Sequence, residues 1–289
     1  MAMRHADTLT PTPTPTHAPA AVLTIAYGPS PAQVGDLYLP TLDTEAVAAG
    51  AARPTLPAIC LLHGGFWRMP WGRDHIAPLA ADFAQRGFVV WNLEYRRVGA
   101  PGGGWPGTLQ DVVSGIEHLA TMAAQGVALD LDRVTVLGHS AGGHLALWAA
   151  AALDRRRVHL AAAVGLAPVA DLVLAHELGC GSGAVRDFLG GSPQDQRPRY
   201  ESASPALRLP LGIRQLIIHG THDDDVPVEI SRRYVTASRA AGDDIEFMEL
   251  PGVSHMELVS PQGLAHEALC GWLAPAAKTL HHCGVLGAE

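Results

Sequence analysis

The sequence predicts an α/β fold: a mostly parallel eight-stranded sheet with helices on both faces. Three observations carry that expectation. From residue 57 onward, strand-like and helix-like segments alternate, the pattern of parallel strands joined by helical crossovers. The strand-like segments include continuous apolar runs such as Ile59-Cys60-Leu61-Leu62 and residues 160–166, as expected of strands covered on both sides. The residues able to do chemistry fall just after those runs, at the strand ends where parallel sheets bind ligands.

Residues 8–16, T-L-T-P-T-P-T-P-T, alternate proline and predict an extended tail over 1–20. Residues 22–27 and 34–39 read as two strands around a Gly-Pro-Ser-Pro turn, and 43–53 as a surface loop or short helix. The apolar strand 57–62 follows and ends in His63-Gly64-Gly65-Phe66-Trp67. Ile76, Leu79, Ala80 and Phe83 have helical spacing within 73–86, and Gly87 ends that helix. A strand is predicted over 88–95, a Gly-rich loop over 99–107, and a helix over 106–125 with Leu109, Val112, Ile116 and Leu119 on one face. Strands follow at 134–137, 160–166, 215–219 and 245–250, and helices at 228–241 and 261–273. Residues 168–210 read as irregular, with short helical pieces such as 185–189. The expected organisation is one domain over 21–275 with a small cap insertion at about 168–210, and a tail over 276–289.

Composition narrows the function classes. Acids outnumber bases 28 to 20, and the one basic cluster is Arg155-Arg156-Arg157 at a helix end, so no nucleic-acid surface is expected. That triplet is expected to meet helix C-terminal carbonyls. No apolar run is long enough to span a membrane, and the N-terminus lacks the apolar stretch of a secretory signal. The four cysteines form no C-x-x-C, and Cys60 sits inside an apolar strand. A cytoplasmic enzyme is the expectation.

The chemistry centres on Gly138-His139-Ser140-Ala141-Gly142, which joins the run 134–137 to an alanine- and leucine-rich helix. A serine hydroxyl is a weak nucleophile and must be exposed, close to a base and close to hydrogen-bond donors. A sharp strand–turn–helix setting supplies that exposure, and G-x-S-x-G in this setting predicts a nucleophile at Ser140. A Gly-rich turn with a serine helix cap is the alternative. Among 15 histidines, His255 is the expected base, because it lies in a loop between the last strand and the last helix. His139, His144 and His219 are expected to be packed and hydrogen-bonded, and His63 to brace its own glycine turn. Asp223-Asp224-Asp225 follow the strand 215–219. Chemistry alone does not choose among them. Asp223 is taken as the acid that orients the base, being first after the strand. The expected oxyanion donors are the backbone N–H groups of Ala141, Gly65 and Phe66, with Gly64 ranked behind them.

With these residues in view, the chain resembles the α/β-hydrolase superfamily, and within it the branch of bacterial carboxylesterases and arylformamidase (kynurenine formamidase). His63 to Trp67, Gly138 to Leu145, Gly220 to Asp223 with Val226-Pro227, and His255 carry the resemblance, which spans most of residues 21–275. It implies a Ser140–Asp223–His255 triad, an oxyanion hole at Gly65, Phe66 and Ala141, and chemistry without cofactor or metal. Phe66-Trp67 stand where H-G-G-G esterases carry a third glycine, which points toward the formamidase side.

The expected substrate is a small carboxylic ester, with N-formylkynurenine-like formamides as the alternative and a non-catalytic ligand-binding module as the reading from another class. Trp67, Trp71 and Trp105 lie in loops near predicted strand ends and are the candidate pocket walls, with plain packing the alternative for each. His281, His282 and Cys283 in the C-terminal tail have no assigned role. The oligomeric state stays open, a homodimer included.

Overall fold

The computed structural model describes residues 21–41, 55–154 and 156–277. The Thr/Pro tail, the 43–53 segment, Arg155, and His281, His282 and Cys283 lie outside the described residues.

Eight strands form one sheet: β1 (Ala21–Ala26), β2 (Val34–Leu39), β3 (Leu56–Leu62), β4 (Val89–Leu93), β5 (Leu129–His139), β6 (Leu160–Leu166), β7 (Arg214–His222) and β8 (Ile245–Ser254). Their spatial order is β1-β2-β4-β3-β5-β6-β7-β8. The β1–β2 and β2–β4 pairs are antiparallel, and every pair from β4 to β8 is parallel. The eight helices of the described residues are α1 (Ala77–Gln85), α2 (Gly107–Ala124), α3 (Ala141–Ala152), α4 (Leu172–Glu177), α5 (Ala184–Leu189), α6 (Arg197–Ala203), α7 (Val228–Ala240) and α8 (Leu264–Ala277).

The continuous apolar strands have the predicted cause. Every residue of β3 is buried. Leu56, Ala58, Cys60 and Leu62 point into one core layer with α2, α3 and α7, while Ile59 and Leu61 point into the other with α1 and α8. Period-two alternation thus serves two cores at once, and both faces must be apolar. α3 is the innermost helix. Residues 141–150 are all buried, so it carries no polar stripe. Among the described residues no helix is long and apolar enough to cross a membrane.

Three local readings differ. The 73–86 helix opens as a 3₁₀ turn, Arg73–Ile76, before α1 starts, because Pro78 fits a first helical turn but would clash inside one. β8 continues through Pro251-Gly252 to Ser254, because a register shift lets Ser254 pair with His222. His255 therefore follows a strand directly rather than sitting in a loop. Arg156 ion-pairs with the Asp154 carboxylate and not with helix carbonyls.

Candidate active site

Ser140 links β5 to α3 at φ 57° and ψ −119°, a conformation that a non-glycine residue adopts only under strain. Its side chain makes no capping bond to the helix, which removes the helix-cap alternative. What holds the strain is close packing. A Cβ on Gly142 would lie 2.1 Å from the Leu62 carbonyl oxygen, and one on Gly138 would lie 2.1 Å from that of Gly142. The Ser140 N–H donates to the Leu166 carbonyl of β6 (2.8 Å), and the next link, from Ala167 N–H to the Ile218 carbonyl of β7, is equally short (2.8 Å).

The structure sets His255 against Asp223. His255 Nδ1 lies 2.6 Å from Asp223 Oδ2, and the Asp223 side chain is fully buried. The other carboxylate oxygen, Oδ1, accepts from the N–H groups of Asp225 (3.0 Å) and Val226 (2.8 Å). Of the three aspartates, Asp223 is thus held from both sides, and Asp224 and Asp225 are exposed. Burial opposes its ionisation, but hydrogen bonds from His219 and His255 outweigh that and hold the carboxyl far below its ordinary range. The Ser140 hydroxyl makes no hydrogen bond to His255 here. The link between them is His139, whose Nε2 lies 3.1 Å from the His255 carbonyl oxygen and whose ring packs 4.3 Å from the His255 ring. Burial, then repulsion from His255, pushes His139 well below the ordinary imidazole range, so it stays neutral beside His255.

The donor loop lies against this turn. A Cβ on Gly64 would sit 3.2 Å from Ser140 Cβ. Gly65, Phe66 and Trp67 have consecutive positive φ angles of 101°, 49° and 56°. Among the described residues, none accepts from the N–H of Gly65 or Phe66. Ala141 opens α3, and its N–H is one of those a helix leaves unpaired at its start. The loop is fastened from below. His63 Nδ1 lies 2.8 Å from the Gly64 carbonyl oxygen, and Nε2 lies 2.9 Å from Glu94 Oε1. Tyr95 stacks on the His63 ring at 4.2 Å and donates to the His63 carbonyl (2.7 Å). Burial would raise the Glu94 pKa, but the His63 hydrogen bond and the nearby Arg97 bring it below its usual value.

The three tryptophans separate. Trp67 is fully buried: it donates to His144 Nδ1 (3.2 Å) and stacks on Phe188 at 4.6 Å, so it is a core residue pinning the loop and not a pocket wall. Trp105 lines a different cavity of about 420 Å³ with Leu109, Val113, Trp148 and Arg208, and none of Ser140, Asp223 or His255 borders it. Trp71 is 49 % exposed and lies against Gly65, at the rim of the loop.

Two supports were not legible in the sequence as parts of the site. His219 places Nε2 3.3 Å from Asp223 Oδ2 and 2.8 Å from the Val226 carbonyl, while Ser231 donates to its Nδ1 (2.7 Å). Its position four residues before Asp223, on the same strand end, was the available signal. Glu94 carried none, since its partner His63 comes from another strand.

Comparison with known proteins follows the same lines. The chain is 29 % identical over 250 residues to an acetyl-hydrolase of Streptomyces hygroscopicus, covering 80 % of each. It is 29 % identical over 252 residues to esterase LipC of Mycobacterium tuberculosis, covering 80 % of this chain but only 58 % of LipC. Esterase B from Lactobacillus rhamnosis superposes with a TM-score of 0.75 at 20 % identity, covering 93 % of this chain and 89 % of that one, a likeness of fold. The BD-FAE family model matches residues 42–237, well over half of the sequence. The chain belongs to the BD-FAE family, a family of α/β-hydrolase esterases.

Proposed function

We propose that this member of an esterase family hydrolyses small carboxylic esters through an acyl-enzyme on Ser140. The observation that carries the reading is the buried Asp223–His255 pair, 2.6 Å apart, beside a strained serine turn. Asp223 accepts the Nδ1 proton of His255 and leaves Nε2 as a lone-pair base. In the reaction, Nε2 takes the Ser140 proton as Oγ bonds to the ester carbonyl carbon. The C–O bond to the alcohol then breaks, and the alkoxide leaves with that proton. Water, deprotonated by the same nitrogen, attacks the acyl carbon; the acyl C–Oγ bond then breaks, Oγ recovers that proton from Nε2, and the carboxylic acid departs. The N–H groups of Gly65, Phe66 and Ala141 stabilise the oxyanion in both halves, each worth about 2.7–4 kcal/mol in the transition state.

Residues 21–275 act as one hydrolase domain in this reading, with 168–210 as its cap. Contacts support the cap: Arg68 donates to the Gly181 carbonyl (2.8 Å), and Phe188 of α5 covers Trp67. The acetyl-hydrolase relative makes a short acyl group the first substrate to test. Free Cys60, Cys180 and Cys270 support action in a reducing compartment such as the cytoplasm.

The test uses p-nitrophenyl acetate and a fluorophosphonate probe, with N-formylkynurenine assayed beside the ester. Wild type turns over the ester and is labelled, whereas Ser140→Ala does neither while keeping its circular dichroism. Turnover by folded Ser140→Ala would remove the acyl-enzyme. Faster turnover of the formamide would move the substrate class from esters to formamides. Unlabelled, folded wild type would favour a binding module.

A further inference from the structure

The donor loop is held from the 168–210 side as well as from below. Three consecutive residues of it, Phe66, Trp67 and Arg68, each meet that segment. The Phe66 ring lies on Gly181, where a Cβ would sit 2.5 Å from Phe66 Cδ1. Trp67 stacks on Phe188 of α5 at 4.6 Å. Arg68 donates through Nη1 to the Gly181 carbonyl (2.8 Å) and through Nη2 to the Ser182 carbonyl (3.4 Å), and its guanidinium pairs with Asp187. Asp187 and Phe188 are neighbours on α5, so adjacent residues of the cap grip adjacent residues of the loop.

Both sides of this contact are strained. Phe66 and Trp67 have φ angles of 49° and 56°, and the facing turn has Gly179 at 69°, Gly181 at 60°, Ser182 at 49° and Gly183 at 82°. Glycines adopt such angles freely, but left-handed backbone at Phe66 and Trp67 persists only where the surroundings fix it. Trp67 is fixed by the core. Phe66 is half-buried and has the Gly181 turn against its ring. The tie across that contact is Arg68. Its own N–H also closes the loop onto the Gly65 carbonyl (2.9 Å), so the backbone and the side chain of Arg68 bracket both donor residues.

We propose that Arg68 is a positioning residue for ester hydrolysis: by clamping the Gly181 turn onto Phe66, it aims the Gly65 and Phe66 N–H groups at the developing oxyanion. The proposal rests on the acyl-enzyme reading and goes beyond it. It makes the cap part of what stabilises the transition state, and not only a cover over the site. A displaced donor loses most where charge develops, so kcat falls while KM hardly moves. Misplacement is milder than removal. Losing a whole donor costs about 10²–10³ in kcat, whereas Arg68→Ala keeps both N–H groups and loosens their aim, so a loss of about ten- to a hundredfold is expected. Unfolding should not obscure this. The Arg68 and Asp187 side chains are 30 % and 51 % exposed, and exposed ion pairs contribute little to folding.

The experiment compares wild type with Arg68→Ala, Arg68→Lys and Asp187→Asn in p-nitrophenyl acetate hydrolysis, with circular dichroism as the check on folding. Butylboronic acid, which adds to a nucleophilic serine and puts a B–O⁻ group where the oxyanion forms, supplies an inhibition constant as the second readout. Arg68→Ala is expected to lower kcat by about ten- to a hundredfold at nearly unchanged KM and to weaken the boronic acid by a similar factor. The acidic limb of kcat against pH stays in place, because the Asp223–His255 pair is untouched. Arg68→Lys recovers part of the loss, its ammonium reaching one of the acceptors. Asp187→Asn keeps the bond to Gly181 and loses less than Arg68→Ala. Should Arg68→Ala fail to fold, Arg68→Met, which keeps the apolar stem, is read by the same criteria. A kcat within about threefold of wild type in the folded variant overturns the role. So does a loss confined to KM, which would leave the cap as a gate, or a shifted acidic limb, which would place the effect on His255. Fluorophosphonate labelling separates this from the reading beneath it. A labelled wild type with an unaffected Arg68→Ala removes the positioning role alone, whereas an unlabelled, folded wild type removes the acyl-enzyme and the positioning role with it.

Discussion

Replacing Asp223 with asparagine changes one atom and reverses a hydrogen bond. Asp223 Oδ1 accepts from two backbone N–H groups, those of Asp225 and Val226. An asparagine keeps both bonds only by placing its carbonyl oxygen there. Its NH₂ is then forced into the Oδ2 position, 2.6 Å from His255 Nδ1 and 3.3 Å from His219 Nε2. The amide donates to Nδ1, which moves the imidazole proton to Nε2, the nitrogen that acts as base in the proposed reaction. The expected loss in kcat is about 10⁴-fold, the scale for a triad histidine held in the wrong tautomer. KM should change little, because the Asp223 side chain is fully buried behind His255. The assay is steady-state hydrolysis of p-nitrophenyl acetate, with circular dichroism confirming the fold and Asp224→Asn and Asp225→Asn as controls within about twofold of wild type, being exposed surface positions. A kcat for Asp223→Asn within tenfold of wild type would refute the orienting role.

The same carboxylate predicts a pH dependence of stability. Its folded pKa is depressed, so the unfolded chain binds its proton first and stability rises with pH. The contribution is complete above the unfolded value of about 3.9 and is lost as pH falls below it; urea melts of wild type and Asp223→Asn should converge on acidification. Gly142→Ala puts a Cβ 2.1 Å from the Leu62 carbonyl oxygen and 2.4 Å from that of His63, and backbone cannot move aside cheaply. It should lose roughly 3 kcal/mol or more by chemical denaturation, and wild-type stability would contradict the packing described. Trp67→Ala should lose about 3–5 kcal/mol as a buried aromatic. Trp71→Ala, exposed, should leave stability within about 0.5 kcal/mol while shifting KM among ester substrates.

How much of this the sequence revealed depends on whether the signal is local. From β3 to α8 the longer helices and the cores of the strands were legible because each states its own period, while the short helices α4 and α6 inside 168–210 and the start of β5 at Leu129 were not. The Gly138–Gly142 turn and the position of Asp223 after β7 were legible because a strand end is a local event. Trp67 was not. Its burial depends on Phe188, from a distant insertion, and on His144, from another helix, and nothing beside Trp67 distinguishes it from the exposed Trp71. The end of β8 was hidden for a related reason. Pro251-Gly252 reads as a turn, and only the neighbouring strand, pairing His222 with Ser254, carries it onward. His219 and Glu94 are the same kind of case: each matters through a partner that folding supplies.

The cross-strand bonds around Ser140 act as a ruler. Ser140 is tied to Leu166 at the end of β6, Ala167 to Ile218 of β7, and His222 of β7 pairs with Ser254, the residue before His255. The serine and the histidine are therefore separated by a fixed number of strand spacings of about 4.8 Å, not by the course of the long connections between them. Lengthening the 168–210 segment leaves the spacing between Ser140 and His255 unchanged. Deleting one residue inside β6 or β7 would shift the ruler by a notch, exchange core-facing for opposite-face side chains, and separate two groups that no loop could bring back together.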